Sequence, residues 1–308
     1  MSASNRAAKL QKIHKALKKL YQPVKPPADR NVLEHLIYAC CLEDASYLTA
    51  DEALAQLQET YLDWNEVRVT TVVELAECLA CLKAPEAAAK RVKNTLHSVF
   101  ETYYSWDLEF LKKENLGKAI QKLQSYKSVS PFVVSYVAQT AFNGHSIPID
   151  DAALVVLYAL DVIDENELRD KQVPGLERAI PKSKGIEFGS LLHQLAADLY
   201  GSPYSPDIRN RIIAIDPAAK NRLPKRPSRK KAKSAEAKAE QAATPETPSK
   251  TKADAKELTS KKDGRKKAAE SKSKEDKKKD TKKSSKTADA STTKKKTSSV
   301  RLAKKKPR

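Results

Sequence analysis

Apolar residues recur every three or four positions through most of the first 215 residues of the chain. That spacing places them on one face of an α-helix. No convincing run alternates apolar and polar residues as a strand would, so the pattern predicts an all-α body. The predicted stripes are Leu10, Ile13, Leu17 and Leu20; Val32, Leu33, Leu36, Ile37 and Cys40; Leu54, Leu57 and Tyr61; Val72, Leu75, Leu79 and Leu82; Val92, Leu96, Val99 and Tyr103; and Leu154, Leu157 and Tyr158.

Individual residues mark where some of these helices begin. Asn31 is a typical N-cap, and Asp51 is expected to open the next helix. Pro85 stops or restarts the chain, because proline has no N–H to donate inside a helix. A further helix is predicted to begin at Pro131. The remaining predicted helices cover residues 116–124, 150–163, 191–200 and 208–215.

Charge divides the chain into two parts. The 308 residues have a net charge of +19, yet residues 220–308 hold 33 basic and 11 acidic side chains, which leaves −3 for residues 1–219. The last part has almost no large apolar residues, so burial cannot offset the entropy that ordering would cost. The sequence therefore predicts a basic N-terminal helix over residues 1–24, a folded domain over 25–219 and a disordered lysine-rich tail over 220–308.

The four cysteines, Cys40, Cys41, Cys78 and Cys81, form no disulfide framework. Together they could be proposed as a zinc site, but they fall within or at the ends of apolar helical stripes, which favours small buried side chains. The five histidines have no ligand spacing. Neither a secretory signal nor a membrane-spanning apolar run is found. We therefore expect a soluble protein of a reducing compartment, without a metal ion, a cofactor or a membrane partner.

Residues 123–150, LQSYKSVSPFVVSYVAQTAFNGHSIPID, hold the most informative pattern. They read as a short hairpin, a helix that begins at Pro131, and a loop that ends in Asp150. This layout resembles the helix-hairpin-helix DNA glycosylases of the endonuclease III family. Those enzymes have an L-P-G-V-G-R-K-T-A motif, a helix that ends near A-F and, eight residues further on, a catalytic aspartate. The hairpin residues here are Lys127, Ser128, Val129 and Ser130, and the helix end matches Thr140, Ala141 and Phe142.

The resemblance implies a catalytic role for Asp150. In the family this aspartate stabilises the cationic sugar that develops as the base departs, or it activates the attacking water. Asp150 also directly precedes the helical sequence that begins at Asp151. An ordinary N-cap is therefore the alternative interpretation, and both roles can hold together.

The chain departs from the family pattern at several positions. The lysine nucleophile falls on Phe132, which has no amine to form a Schiff base. The hairpin glycines appear as Ser128 and Ser130, and a glutamine that fills the gap left by a flipped base falls on Asp44. Residues 201–223, which match the family's iron–sulfur loop, contain no cysteine. The resemblance therefore implies a monofunctional N-glycosylase without lyase activity and without a cluster.

Two segments are predicted to bind DNA. Backbone N–H groups of the hairpin and of the following helix N-terminus could hold a phosphate, although an ordinary helix connection is the alternative. The tail would bind phosphates by releasing counterions, without sequence preference, although a purely solubilising tail is the alternative. The predicted contact residues of the tail include Lys230, Lys231, Lys266, Lys267, Lys278 and Lys295.

These observations predict a DNA-binding, endonuclease III-like protein of base-excision repair. Its expected partner is double-stranded DNA, and its expected state is a monomer. It is expected in the cytoplasm with the nucleoid, or in the nucleus if the source is eukaryotic. The alternative is a catalytically inactive, non-specific or architectural DNA-binding protein that has the same fold.

Overall fold

The computed structural model describes residues 3–226. This part of the chain is helical and contains no β-strand, which confirms the all-α prediction. A short 3-10 helix, Glu109–Lys113, lies between α6 and α7. The α-helices, numbered α1 to α14 in chain order, are Ala3–Leu20, Val32–Leu42, Tyr47–Thr60, Trp64–Val69, Val72–Cys78, Pro85–Tyr103, Leu116–Ser125, Pro131–Thr140, Asp151–Ala159, Glu165–Arg169, Leu176–Ala179, Lys182–Gly201, Pro206–Ile215 and Ala219–Arg222.

Local sequence signals explain several helix starts. Asn31 caps α2 in a reciprocal arrangement with Glu34, and Pro85 is the first residue of α6, both as predicted. The prediction that Asp51 opens a helix was wrong. That helix, α3, begins one turn earlier at Tyr47, because the hydroxyl of Ser46 accepts the Thr49 N–H at 3.2 Å and caps it there.

Two clusters of buried residues form the core. The first cluster is built from α2 to α8 and includes Leu36, Leu57, Leu96 and Val137. The second cluster is built from α1, α9 and the four helices α11 to α14. The chain therefore returns to its own N-terminal helix after the first cluster is complete.

The N-terminal helix is part of the second cluster. Leu10, Ile13 and Leu17 are buried there, whereas Leu20 is 39% exposed and ends the stripe. At the other end, Leu223 is also buried in this cluster. The packed core therefore continues to Leu223, past the predicted tail boundary at residues 219–220.

The structure also corrects a predicted helix start and the predicted burial of two cysteines. The helix predicted over residues 191–200 begins earlier, at Lys182. Cys40 and Cys41 are buried as expected, but Cys78 and Cys81 are only half-buried. Among residues 3–226, no helix has both the length and the apolar character to cross a membrane. The predicted disordered tail and its lysines, Lys230, Lys231, Lys266, Lys267, Lys278 and Lys295, lie outside the described residues.

Candidate functional site

The predicted hairpin is a tight turn between α7 and α8. Ser128 has a φ of 66°, in the left-handed region where a side chain is strained. Its hydroxyl accepts a hydrogen bond from the side-chain amide of Asn94 at 2.7 Å, and the hydroxyl of Ser98 accepts the Lys127 N–H at 3.0 Å. Both partners lie on α6, so this helix holds the turn in place without glycine.

The turn leads into the N-terminus of α8. Ser130 caps that helix, because its hydroxyl accepts the Val133 N–H at 3.2 Å. The N–H groups of Ser128, Ser130 and Phe132 make no hydrogen bond to another described residue. Free N–H groups at a turn and at a helix N-terminus are suited to an anion such as a DNA phosphate.

Acidic side chains lie beside this turn. Burial raises the pKa of Glu43, whose carboxylate lies next to Ser130, and burial likewise raises the pKa of Asp44. Arg91 offsets only one of the two charges, with nitrogens 3.3 Å from the Glu43 carboxylate and 3.8 Å from the Asp44 carboxylate. Asp44 lies where the family has a glutamine, and its φ of 65° also places it in the left-handed region. This acidic rim opposes phosphate binding.

Asp150 is 3% exposed and its two oxygens face different partners. Oδ1 accepts the Ala153 N–H at 2.7 Å, so the residue is the N-cap of α9 that the sequence offered as an alternative. Oδ2 lies 3.1 Å from Nδ1 of His193, which is a residue of α12. The angles at this contact fall outside those of a hydrogen bond, and neither atom has another hydrogen-bond partner.

The other nitrogen of His193 fixes where a proton must be. Nε2 lies 2.8 Å from the carbonyl oxygen of Ala45, which can only accept, so Nε2 carries a hydrogen. A neutral ring would then direct the lone pair of Nδ1 at Asp150. The two atoms therefore form a buried polar contact whose hydrogen-bonding capacity is unused in this geometry.

Aromatic rings enclose the His193 ring. Phe132 stacks on it, with ring centroids 5.5 Å apart and planes 27° apart, and Tyr47 meets it edge-on at 5.2 Å. Phe132 also stacks on Tyr136, with centroids 6.4 Å apart. Phe132, which the sequence resemblance aligned with a lysine, is therefore a buried ring that packs against the partner of Asp150.

A small, partly open pocket lies on the far side of this aromatic layer. Tyr47 belongs to both, because its ring contacts His193 and also lines the pocket. Burial raises the pKa of Tyr38, Tyr47 and Tyr136 above its ordinary value, so these side chains stay neutral hydroxyls. The residues that line this tyrosine pocket include Tyr38, Tyr47, Asp51, Tyr136, Gln139 and Ser190.

Arg30 holds one wall of this tyrosine pocket. Its guanidinium lies 3.8 Å above the ring of Tyr38 and donates to the carboxylate of Asp51 at 2.8 Å. Flat aromatic faces combined with polar edges are what a small planar ring requires for stacking and hydrogen bonding. The pocket therefore has the side-chain types that bind a planar ring, but Tyr38 and Tyr136 are only 2% and 4% exposed, so a nucleobase enters only if these rings move apart. Asp150 lies one aromatic layer away.

The structure brings together part of the predicted site. Phe132 and Asp150 both contact His193, and Ser130 lies at the same end of α8. Lys127 is exposed at the turn. No sequence pattern indicated His193, which lies 43 positions after Asp150. The pocket tyrosines were also missed, because they come from three different helices. No group of His, Cys, Asp and Glu within the described residues is arranged to hold a metal ion.

Solved structures of DNA glycosylases align with this chain. A trapped endonuclease III–DNA covalent intermediate is 13% identical, with a TM-score of 0.49, and the alignment covers 73% of this chain and 100% of the other. A 3-methyladenine DNA glycosylase from H. pylori bound to 1,N6-ethenoadenine is 17% identical, with a TM-score of 0.42, and the coverage is 62% and 97%. A thermostable thymine-DNA glycosylase is 14% identical, with a TM-score of 0.44, and the coverage is 67% and 91%.

No protein-family model matches the chain. No curated protein matches it by sequence either. At these identities and TM-scores, the likeness to solved structures does not by itself assign a family or an activity to this chain.

Proposed function

We propose that this chain is a DNA-binding protein of base-excision repair that holds a flipped base in the tyrosine pocket. The proposal depends on three features that lie next to one another. They are a hairpin with free N–H groups, the buried Asp150, and a pocket of neutral tyrosines behind one aromatic layer. The hairpin would fix one phosphate and thereby position the flipped nucleotide. The partner is double-stranded DNA, bound by a monomer.

Asp150 is the catalytic residue in this proposal. As the bond between base and sugar breaks, its electron pair leaves with the base and positive charge develops on the sugar. A fixed carboxylate next to that sugar stabilises the charge, or removes a proton from the water that attacks C1′. Phe132 offers no amine, so no Schiff base forms and the strand stays intact. The product is an abasic site.

The closed arrangement around Asp150 favours a second candidate function. Both carboxylate oxygens face partners inside the protein, and Phe132 and His193 separate them from the tyrosine pocket. Base excision therefore requires the His193 ring to turn away from Oδ2. A protein in which it does not turn is a catalytically inactive DNA-binding protein, which is the competing proposal.

A base-release assay separates the two candidates. The full chain is incubated with duplexes that carry alkylated, deaminated, oxidised or mismatched bases, and released bases are quantified before and after alkali. We expect release that leaves the strand intact until alkali is added, and the Asp150→Asn variant should bind equally well but release nothing. An absence of release from every duplex would support the inactive candidate.

A trapping experiment tests the absence of lyase chemistry. The variant that lacks residues 229–308 avoids adducts with the lysines of that segment. Borohydride should then trap no covalent complex on lesion-bearing or abasic duplexes, because Phe132 has replaced the amine. A specific adduct, or strand cleavage without alkali, would contradict monofunctional chemistry.

A further inference from the structure

Three lysines of α1 share one exposed side of the helix. Lys12, Lys15 and Lys19 follow one another at spacings of three and four residues, so they lie within one narrow sector and span about 10 Å along the axis. None of the three forms an ion pair or a hydrogen bond with another described residue. These three residues form the α1 lysine row, a line of positive charges without an ion-pair partner among the described residues.

Neighbouring lysines of the same helix have partners. Lys9 pairs with the carboxylate of Asp161, and Lys18 lies 2.9 Å from the carboxylate of Glu187. These pairs attach α1 to α12 and to the end of α9. Lysines that hold the helix in place are thus distinct from those of the lysine row, so the row is not needed for packing.

The α1 lysine row borders an open groove between α1 and α13. Small and medium apolar residues lie along it: Ala16, Leu20, Ala214 and Ile215. Arg211 forms part of the opposite wall and is held by Asp207 at 2.8 Å. The groove is therefore narrow and apolar inside, and basic along one edge.

The described part of the chain ends beside α13. Arg209 of α13 donates to the carbonyl oxygen of Pro224 at 2.9 Å, which keeps the last described residues against α13. The sequence that follows, residues 227–308, has 29 basic and 11 acidic side chains. Like charges repel, so this segment is not suited to cover the α1 lysine row. A polyanion would attract both.

We propose that the α1–α13 groove is a second contact surface for the phosphate backbone of nucleic acid, separate from the hairpin. The lysine row is about 10 Å long, which is the axial rise of about three base pairs, so its flexible side chains can reach successive phosphates of one strand. A membrane surface fits less well, because the apolar floor is short and small. This inference rests on the proposed DNA binding, since it adds a second set of phosphate contacts to it.

The experiment measures how duplex affinity of the full chain depends on salt. The variant K12Q/K15Q/K19Q removes the lysine row, and K113Q/K118Q/K182Q removes the same charge from exposed lysines on other elements. Losing three phosphate contacts lowers the slope of log affinity against log salt by about 2.7. The affinity deficit of the groove variant should therefore shrink by roughly 40-fold between 50 and 200 mM salt, and K12R/K15R/K19R should restore binding.

Each outcome decides the inference. Equal slopes for the groove variant and the control variant would overturn it, while the remaining affinity would leave the proposed DNA binding intact. If the wild-type chain binds no duplex at all, the proposed function itself fails. If a poly-glutamate peptide binds the wild type but not the groove variant, while both bind the duplex with the same affinity and salt dependence, the groove belongs to an acidic protein partner and the inference is overturned.

Discussion

Nδ1 of His193 faces Oδ2 of Asp150 across 3.1 Å in the protein interior, and neither atom has a hydrogen-bond partner among the described residues. The contact joins α12 to the start of α9, while Nε2 of the same ring reaches the carbonyl of Ala45 between α2 and α3. A single imidazole therefore links the candidate catalytic residue to the first core cluster. Any chemistry at Asp150 depends on this ring.

We predict that Asp150→Asn leaves the free energy of unfolding nearly unchanged, whereas Asp150→Ala lowers it. Asparagine can still accept the Ala153 N–H, and its amide can donate to the lone pair of Nδ1 on a neutral His193. The free energy of unfolding of Asp150→Asn should therefore lie within about 1 kcal/mol of the wild type. Alanine removes the cap and leaves His193 without its partner, which should cost about 2–4 kcal/mol in urea unfolding. Equal losses in both variants would show that the ionised pair is required.

His35 should make the fold sensitive to mild acid. Burial lowers the pKa of this side chain to about 4, and the positive charges of Arg30 and Lys112 add to the effect. In the unfolded chain the His35 side chain binds a proton near pH 6.5, whereas in the native state it does so only near pH 4. The free energy of unfolding should therefore fall by roughly 3 kcal/mol as the pH drops through that window.

The variant His35→Phe isolates this contribution. Phenylalanine fills the same space next to Tyr136 and has no proton to bind. Its unfolding free energy, measured by urea titration from pH 7 to pH 4, should decline less steeply than that of the wild type by the same amount. Parallel profiles would assign the acid sensitivity to other groups.

The backbone at Ser128 should discriminate between glycine and β-branched residues. Ser128→Gly relieves a left-handed conformation but loses the hydrogen bond from Asn94, so the two effects nearly cancel. Ser128→Val adds strain of about 1–2 kcal/mol at this φ. We expect the valine variant to bind duplex DNA several-fold more weakly in an anisotropy titration, because its hairpin N–H groups move. Unchanged affinity would argue against phosphate binding by the hairpin.

Glu43 should oppose DNA binding. Its carboxylate lies beside Ser130 at the N-terminus of α8, close to where a phosphate would be held. Glu43→Gln keeps the shape and removes the charge, so duplex affinity should rise about two- to fivefold at low salt and less at high salt. Glu77→Gln, at an exposed position of α5, serves as the control for net charge. A gain of equal size in both variants would leave no specific role for Glu43.

The last part of the chain should dominate non-specific affinity. If residues 229–308 neutralise six to ten phosphates, duplex affinity of the whole chain should fall about 10³- to 10⁵-fold between 50 and 200 mM salt. Deleting them should weaken binding strongly and flatten this dependence, as measured by anisotropy over a salt series. Unchanged affinity and slope would assign binding to the helical body alone.

The sequence by itself determined what depends on neighbouring residues. The helical spacing of apolar side chains, the cap at Asn31 and the proline start of α8 all act within one or two turns, and they were predicted correctly. The cap at Asp150, which the sequence left as an alternative interpretation, is also local. The uneven distribution of charge is likewise a property of composition. The start of α3 was misjudged because Ser46 and Asp51 are both suitable caps, and the structure places Ser46 at the cap position.

Only the tertiary structure decided which distant residues meet. His193 reaches Asp150 because α12 packs against α9, and no spacing in the sequence encodes that contact. The tyrosine pocket is likewise formed by α2, α3 and α8 with segments from both ends of the folded part. The same holds for α1, whose basic sequence indicated a separate helix although its apolar stripe completes the second core cluster. Such contacts depend on long-range burial, which a one-dimensional pattern does not specify.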